Sequence, residues 1–117
     1  NIISRNNILH VPQGNHSISD PKRNESNDFD YDLYNGKVIA KQGSEQYGIK
    51  GVPTYRSTDL EDKKYFLMPS SPGYDAGIIL PGFNEDYTGS APDMGALENG
   101  KAPMEYGVDA YKNSNEP

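Results

Sequence analysis

Ser70-Ser71-Pro72-Gly73-Tyr74-Asp75-Ala76-Gly77 is one half of the stretch on which the fold reading turns; Ala91-Pro92-Asp93-Met94-Gly95-Ala96-Leu97-Glu98 is the other. Each half contains a Pro, then an Asp, then a Gly two residues after that Asp. Between the halves lies one short apolar run, Ile78-Ile79-Leu80. A single motif of this kind carries little information, whereas a pair flanking one apolar run describes a fixed piece of architecture. Each Asp is expected to accept backbone N–H bonds from a tight turn. Gly77 and Gly95 are expected to supply backbone angles that other residues avoid. No nucleophile, base or metal-ligating cluster accompanies them. Asp75, Gly77, Asp93 and Gly95 are therefore read as structural turns, with no catalytic residue and no metal ligand assigned.

The composition around these turns points to an all-β, loop-rich chain with little helix. Gly and Pro together supply 21 of 117 residues, above the usual share, and they punctuate the chain into short segments. Only 33% of the residues are hydrophobic, and Tyr (9) outnumbers Phe (3) in the absence of Trp. A chain this size buries only about two-thirds of its unfolded surface even with an average composition. Either it folds as a lean β unit or it leans on a neighbouring segment. The net charge of −6 argues against a nucleic-acid partner, whose phosphates need a basic face, and against anionic membrane surfaces. With no Cys there are no disulfides and no thiolate metal sites. No signal peptide or transmembrane run is present. The opening at Asn1-Ile2-Ile3 reads as mid-pattern, so the chain is expected to be a C-terminal piece of something longer.

Residues 2–11 hold two β-branched runs around Asn6-Asn7, a natural corner because Asn tolerates left-handed backbone angles. Residues 12–28 read as a polar surface loop containing two N-glycosylation patterns, Asn15-His16-Ser17 and Asn24-Glu25-Ser26. In Asp28-Phe29-Asp30-Tyr31-Asp32-Leu33-Tyr34-Asn35-Gly36, acids alternate with apolar residues. If extended, the acids share one face. Calcium is the cation such a face would take, but the positions fail the EF-hand pattern, with Leu33 where Gly belongs and Ile39 where Glu belongs. A half-buried strand ending in an Asn-Gly turn is the plainer expectation, and no cofactor is assigned. Residues 37–40 and 65–68 are expected strands, residues 42–51 a loop, and Thr58 to Lys64 a short helical turn. Tyr55 is expected to point inward, and residues 112–117 to fray.

The order of these pieces resembles the C-terminal end of secreted bacterial right-handed parallel β-helix proteins of the polysaccharide lyase and glycoside hydrolase type. Arg5-Asn6-Asn7-Ile8 resembles a rung with its Asn corner, and Asp30-Tyr31-Asp32-Leu33-Tyr34-Asn35-Gly36 a following "S-D-Y-N-L-Y-Y-G" element. Val52-Pro53-Thr54-Tyr55 resembles a "D-P-x-F" element. Tyr65-Phe66-Leu67 with Ser71 to Gly77 is similar to "S-P-A-I-D-A-G", and Pro92 to Glu98 to "P-D-I-G-A-Y-E". The chain departs from the pattern at Gly73, Tyr74 and Val52, and Asp32 stands where Asn is common. The resemblance implies the last rungs and closing segment of a parallel β-helix over residues 1–98, with a tail over 99–117. It implies a secreted, periplasmic or cell-surface location and a carbohydrate context. Upstream coils of the same polypeptide, or a second chain, are the implied partners, with polysaccharide as the ligand class.

Such enzymes place their catalytic residues on middle coils, so the implied role of this chain is structural. The alternative is a non-catalytic β-helix surface protein that binds glycan or another cell. A uronate lyase needs a cation to neutralise the carboxylate and a base to take a proton, and a glycosidase needs two carboxyls flanking the bond. Arg5 and His10 lie on the rung-like segment and are the candidates for a groove. Tyr31 and Tyr34, with Tyr47, Tyr55 and Tyr65, are candidates to stack on sugar rings. Packing with a hydroxyl reaching water explains those tyrosines equally well.

Overall fold

The computed structural model describes residues 1–56 and 65–101. Seven strands of two to four residues follow in chain order. They are β1 (Ile3–Ser4), β2 (Ile8–Leu9), β3 (His16–Ser19), β4 (Asp28–Phe29), β5 (Leu33–Tyr34), β6 (Lys37–Ile39) and β7 (Ile49–Lys50). No helix occurs among the described residues. The strands are short because Asn, Asp, Gly and Pro interrupt every β-branched run, and those residues favour turns over ladders.

The strands form three separate short sheets, β1-β4, β2-β5-β7 and β3-β6, and every pairing is parallel. Ile3 lies opposite Asp28, Ile8 opposite Leu33, His16 opposite Lys37, and Leu33 in turn opposite Ile49. No strand pairs with its neighbour in sequence. The order β1, β2, β3 is repeated by its partners β4, β5, β6.

Corners hold this order. Asn6 adopts φ 58° and Tyr31 φ 57°, and the Asn6 N–H donates to the Tyr31 carbonyl at 2.9 Å. The two β-branched runs of residues 2–11 are thus β1 and β2 on either side of the expected Asn corner. Residues 28–36 likewise turn at Tyr31 and are not one half-buried strand. Asn35-Gly36 is not a hairpin turn: the Asn35 amide accepts from the Val11 N–H at 2.8 Å and donates to the Val11 carbonyl at 2.7 Å. One amide thus satisfies both backbone groups of a residue on the parallel partner path, where a hairpin would have needed an antiparallel one.

The core is small. Leu33, Leu67 and Met94 are fully buried, with Phe66 and Ile18 nearly so. The Gly73 backbone lies against Leu33, Leu67 and Met94, which fastens the closing segment onto the strands. Residues 65–68 form no strand, only one antiparallel bridge between Leu67 and Tyr55. Tyr55 is half-buried and meets Tyr65 edge-on, ring centroids 5.4 Å apart. The helical turn expected over 58–64 lies outside the described residues, as does the tail beyond 101.

Candidate functional site

Three groups of side chains are candidates: the closing turns, a cleft beside Arg5, and a buried pair of acids. In the closing turns Asp93 is the anchor. It is 4% exposed, its Oδ1 accepts from the Asp75 N–H at 2.8 Å, and its Oδ2 accepts from the Asn99 N–H at 2.9 Å. Glu98 Oε1 accepts from the Asp93 N–H at 2.8 Å. Asp75 is less enclosed than Asp93. It is half-buried and holds the left-handed angle itself (φ 52°), with long contacts to Ser90 N and Oγ at 3.3 and 3.5 Å.

Gly95 has the expected positive angle, φ 97°, and a Cβ there would come within 2.7 Å of Ile8. Gly77 does not, which corrects that part of the turn reading. Its role is close approach: its N–H donates to the Pro92 carbonyl at 2.7 Å, and a Cβ would fall 2.9 Å from Asn6 Oδ1. Asn6 then joins the closing segment to the first corner. Its amide accepts from the Ile78 N–H at 2.8 Å and donates to the Ile78 carbonyl at 2.7 Å.

Carboxylate oxygens of Asp75, Asp93 and Glu98 lie within 4.8 Å of one another. Each acid is turned to backbone donors, which is what a scaffold needs. Burial, then the Asp93 and Asp75 charges, hold the Glu98 carboxyl above its ordinary pKa. Asn99, which the sequence reading left in the tail, belongs to this knot. Its amide donates to the Leu67 carbonyl at 2.6 Å and accepts from Arg56 at 2.9 Å. No local pattern marks Asn99; only the buried Asp93 beside it does.

The cleft has a volume of about 490 Å³, and Arg5, Asn7, Phe83, Asn84, Asp86 and Lys101 are among its walls. Arg5 is the one sequence-named ligand candidate that reaches it. Its Nη2 pairs with Asp28 Oδ2 at 2.7 Å and its Nη1 donates to the Ser4 carbonyl at 2.8 Å. The Asp28 hydrogen bond is the main cause that raises the Arg5 pKa and lowers that of Asp28. Lys101 pairs with Asp86 at 2.9 Å. Phe83 is 89% exposed. Both cations are thus committed to acids of this chain, and the cleft offers a polar ligand amides and an aromatic edge, with no free acid–base couple among the described residues.

His10 is exposed and Tyr31 and Tyr34 are half-buried, and all three lie outside the cleft walls. Tyr31 stacks on Tyr47, ring centroids 5.3 Å apart at 23°, so its face is covered by its own chain. Burial, then the Glu45 charge, push the Tyr34 phenol up, away from use as a base. The structure does not gather the four named candidates into one site. Phe83 and Asn84 were missed; a large aromatic in Leu80-Pro81-Gly82-Phe83-Asn84 was the available signal.

The acids of residues 28–32 do not share a face either. Asp28 meets Arg5, Asp30 accepts from the Tyr31 and Tyr47 N–H groups at 2.9 and 2.8 Å, and Asp32 is wholly buried. Asp32 Oδ1 accepts from the Asn7 N–H at 2.8 Å, and the Asp32 N–H donates to Glu45 Oε1 at 3.1 Å. Both Asp32 and Glu45 are buried, so the pair lacks the access that glycoside hydrolysis requires. The chain matches no protein-family model, no curated protein and no solved structure.

Proposed function

We propose that the chain is the closing end of a right-handed parallel β-helix, a structural segment of a secreted carbohydrate-active protein whose catalytic residues lie on upstream coils. The observation that carries the reading is the pairing order. Three strands in a row each find a parallel partner in the same order further along the chain, and β7 repeats the step on β5. A chain that climbs one strand spacing per circuit produces this order, and each circuit is covered by the next. The Asp75–Asp93 knot then lays the closing segment against the strands. The carbohydrate context comes from the resemblance of residues 2–98 to secreted β-helix lyases and hydrolases. The paired cations and the buried acids support a silent role for this segment in the chemistry.

The test is an assay of the natural full-length polypeptide on acidic and neutral polysaccharides, following new reducing ends and unsaturated uronates. Depolymerisation unaffected by His10→Ala, Tyr31→Phe or Phe83→Ala is the expected result. Cleavage lost in one of these variants while its melting stays normal would move the active site into this segment. Glycan binding without cleavage would favour the surface-protein alternative.

A further inference from the structure

Asp32 is 0% and Glu45 7% exposed, and the Asp32 backbone N–H donates to the Glu45 carboxyl at 3.1 Å, which brings the two acids together. Each has one oxygen satisfied and one not. Asp32 Oδ1 accepts from Asn7 N–H and Glu45 Oε1 from Asp32 N–H, whereas Asp32 Oδ2 and Glu45 Oε2 have no partner among the described residues. Two ionised carboxylates are acceptors only and repel at this range. A buried oxygen left without a donor is costly. No Lys, Arg or His among the described residues donates to either group. We propose that Asp32 and Glu45 form one proton-binding site, in which a single proton shared between the two carboxyls ties together the corner that Asn7, Asp32 and Glu45 make.

The step is a simple protonation: one carboxylate takes a proton from solvent, becomes an acid and donates to the other carboxylate, which stays ionised. The charged and titratable neighbours favour uptake. Asp30 adds repulsion to Glu45, and Tyr34 is a neutral phenol beside it. Arg5 senses Asp30 and Asp32, but its guanidinium is committed to Asp28 and the Ser4 carbonyl. Glu45 also sits at φ 54° with its N–H on the Phe29 carbonyl at 2.7 Å, so the backbone fixes it over Asp32.

Burial first, then the contact with Asp32, push the Glu45 carboxyl from 4.5 up to about 8. The folded state therefore keeps a proton that the unfolded state releases. A raised folded pKa gives stability that is fully present below the unfolded value and is lost as pH rises through the folded one. The folded-to-unfolded ratio then falls by up to about tenfold per pH unit across that window.

The test is denaturant unfolding of the natural polypeptide from about pH 5 to about pH 9, on wild type, Glu45→Gln and Asp32→Asn. In either variant an amide N–H replaces the shared proton. Wild type should lose stability over this range, and both variants should lose the slope. The Glu45 carboxyl carbon, followed by NMR, should titrate well above an ordinary Glu. A wild-type curve flat over the range would overturn the proposal, as would an unchanged slope in a folded variant. So would a flat curve that rises on adding calcium, which would make the site a cation site. If a variant fails to fold, the wild-type NMR titration decides alone: an ordinary Glu45 value overturns the proposal.

Discussion

Asp93 and Asp75 look alike in sequence but differ in what depends on them. Asp93 is buried and serves the N–H groups of both Asp75 and Asn99, so Asp93→Ala strands donors in the interior. Leaving such groups unpaired costs about 1–3 kcal/mol. Asp75 reaches Ser90 only at 3.3 Å or more at an exposed position. Asp75→Ala should therefore cost less than Asp93→Ala in denaturant unfolding, with its main effect the left-handed angle that Ala tolerates poorly. Equal costs would mean that the Asp75 carboxylate is better satisfied than its distances imply. The Arg5–Asp28 pair is weaker still. Asp28 has half its side chain exposed, and such pairs contribute about 0–1 kcal/mol. Asp28 has a depressed pKa, so that small contribution is present above the unfolded value and lost as pH falls through the folded one. At this scale the repeated Pro, Asp and Gly made the Asp93 turn legible. Burial of Asp32 was not legible, because it depends on Glu45, which lies in a stretch that reads as polar loop. Asp32 standing where Asn is common was the one visible hint: Asn brings its own donor, which an ionised Asp lacks.

Strands of two to four residues contribute little ladder, so the corners carry much of the specification. Asn6 and Asn35 each use one amide to satisfy both the N–H and the carbonyl of a residue on another path, Ile78 and Val11. Asn6→Ala removes both bonds and strains φ 58°, and should cost about 1–3 kcal/mol by denaturant midpoint. Asn6→Asp keeps the acceptor for the Ile78 N–H but sets a charge against the Ile78 carbonyl. It should fall no closer to wild type than a partial rescue. A neutral Asn6→Ala would show that the corner is held by the backbone alone. The corner at Asn6-Asn7 was legible because Asn is one of the few residues suited to it. The turn at Tyr31 was not, since Tyr rarely takes that angle; its stack on Tyr47 and the Asp30 carboxylate below its N–H hold it there. Residues 65–68 misled because an all-apolar tetrad suits a strand and a packed closing loop alike. Here Phe66 and Leu67 are both buried, and the Arg56 guanidinium lies 4.8 Å from the Phe66 ring centroid.

For the molecule as a whole, the described strands leave open edges on both sides. Among the described residues β1, β2 and β3 are each paired on one edge only, by β4, β5 and β6, and β4, β6 and β7 likewise have one partner each. Alternate backbone groups of a singly paired strand face away from the partner and invite another strand. The side chains nearby match that need: Ile3 is 76% exposed, and Ile2 and Phe83 are also largely exposed. A preceding coil would cover these groups, and the proposed β-helix reading requires one. The parallel order was foreseeable only through resemblance, because parallel pairing joins residues far apart in sequence and leaves no local period.

The measurement that tests this most directly compares the 117-residue chain with the same chain carrying upstream coils of its natural polypeptide, each examined by sedimentation and thermal melting. The account predicts that the chain alone associates or melts broadly with a concentration-dependent midpoint. The extended form should be monomeric and melt sharply. A sharp, reversible, concentration-independent melt of the isolated chain as a monomer would contradict the account and make it a free-standing β domain.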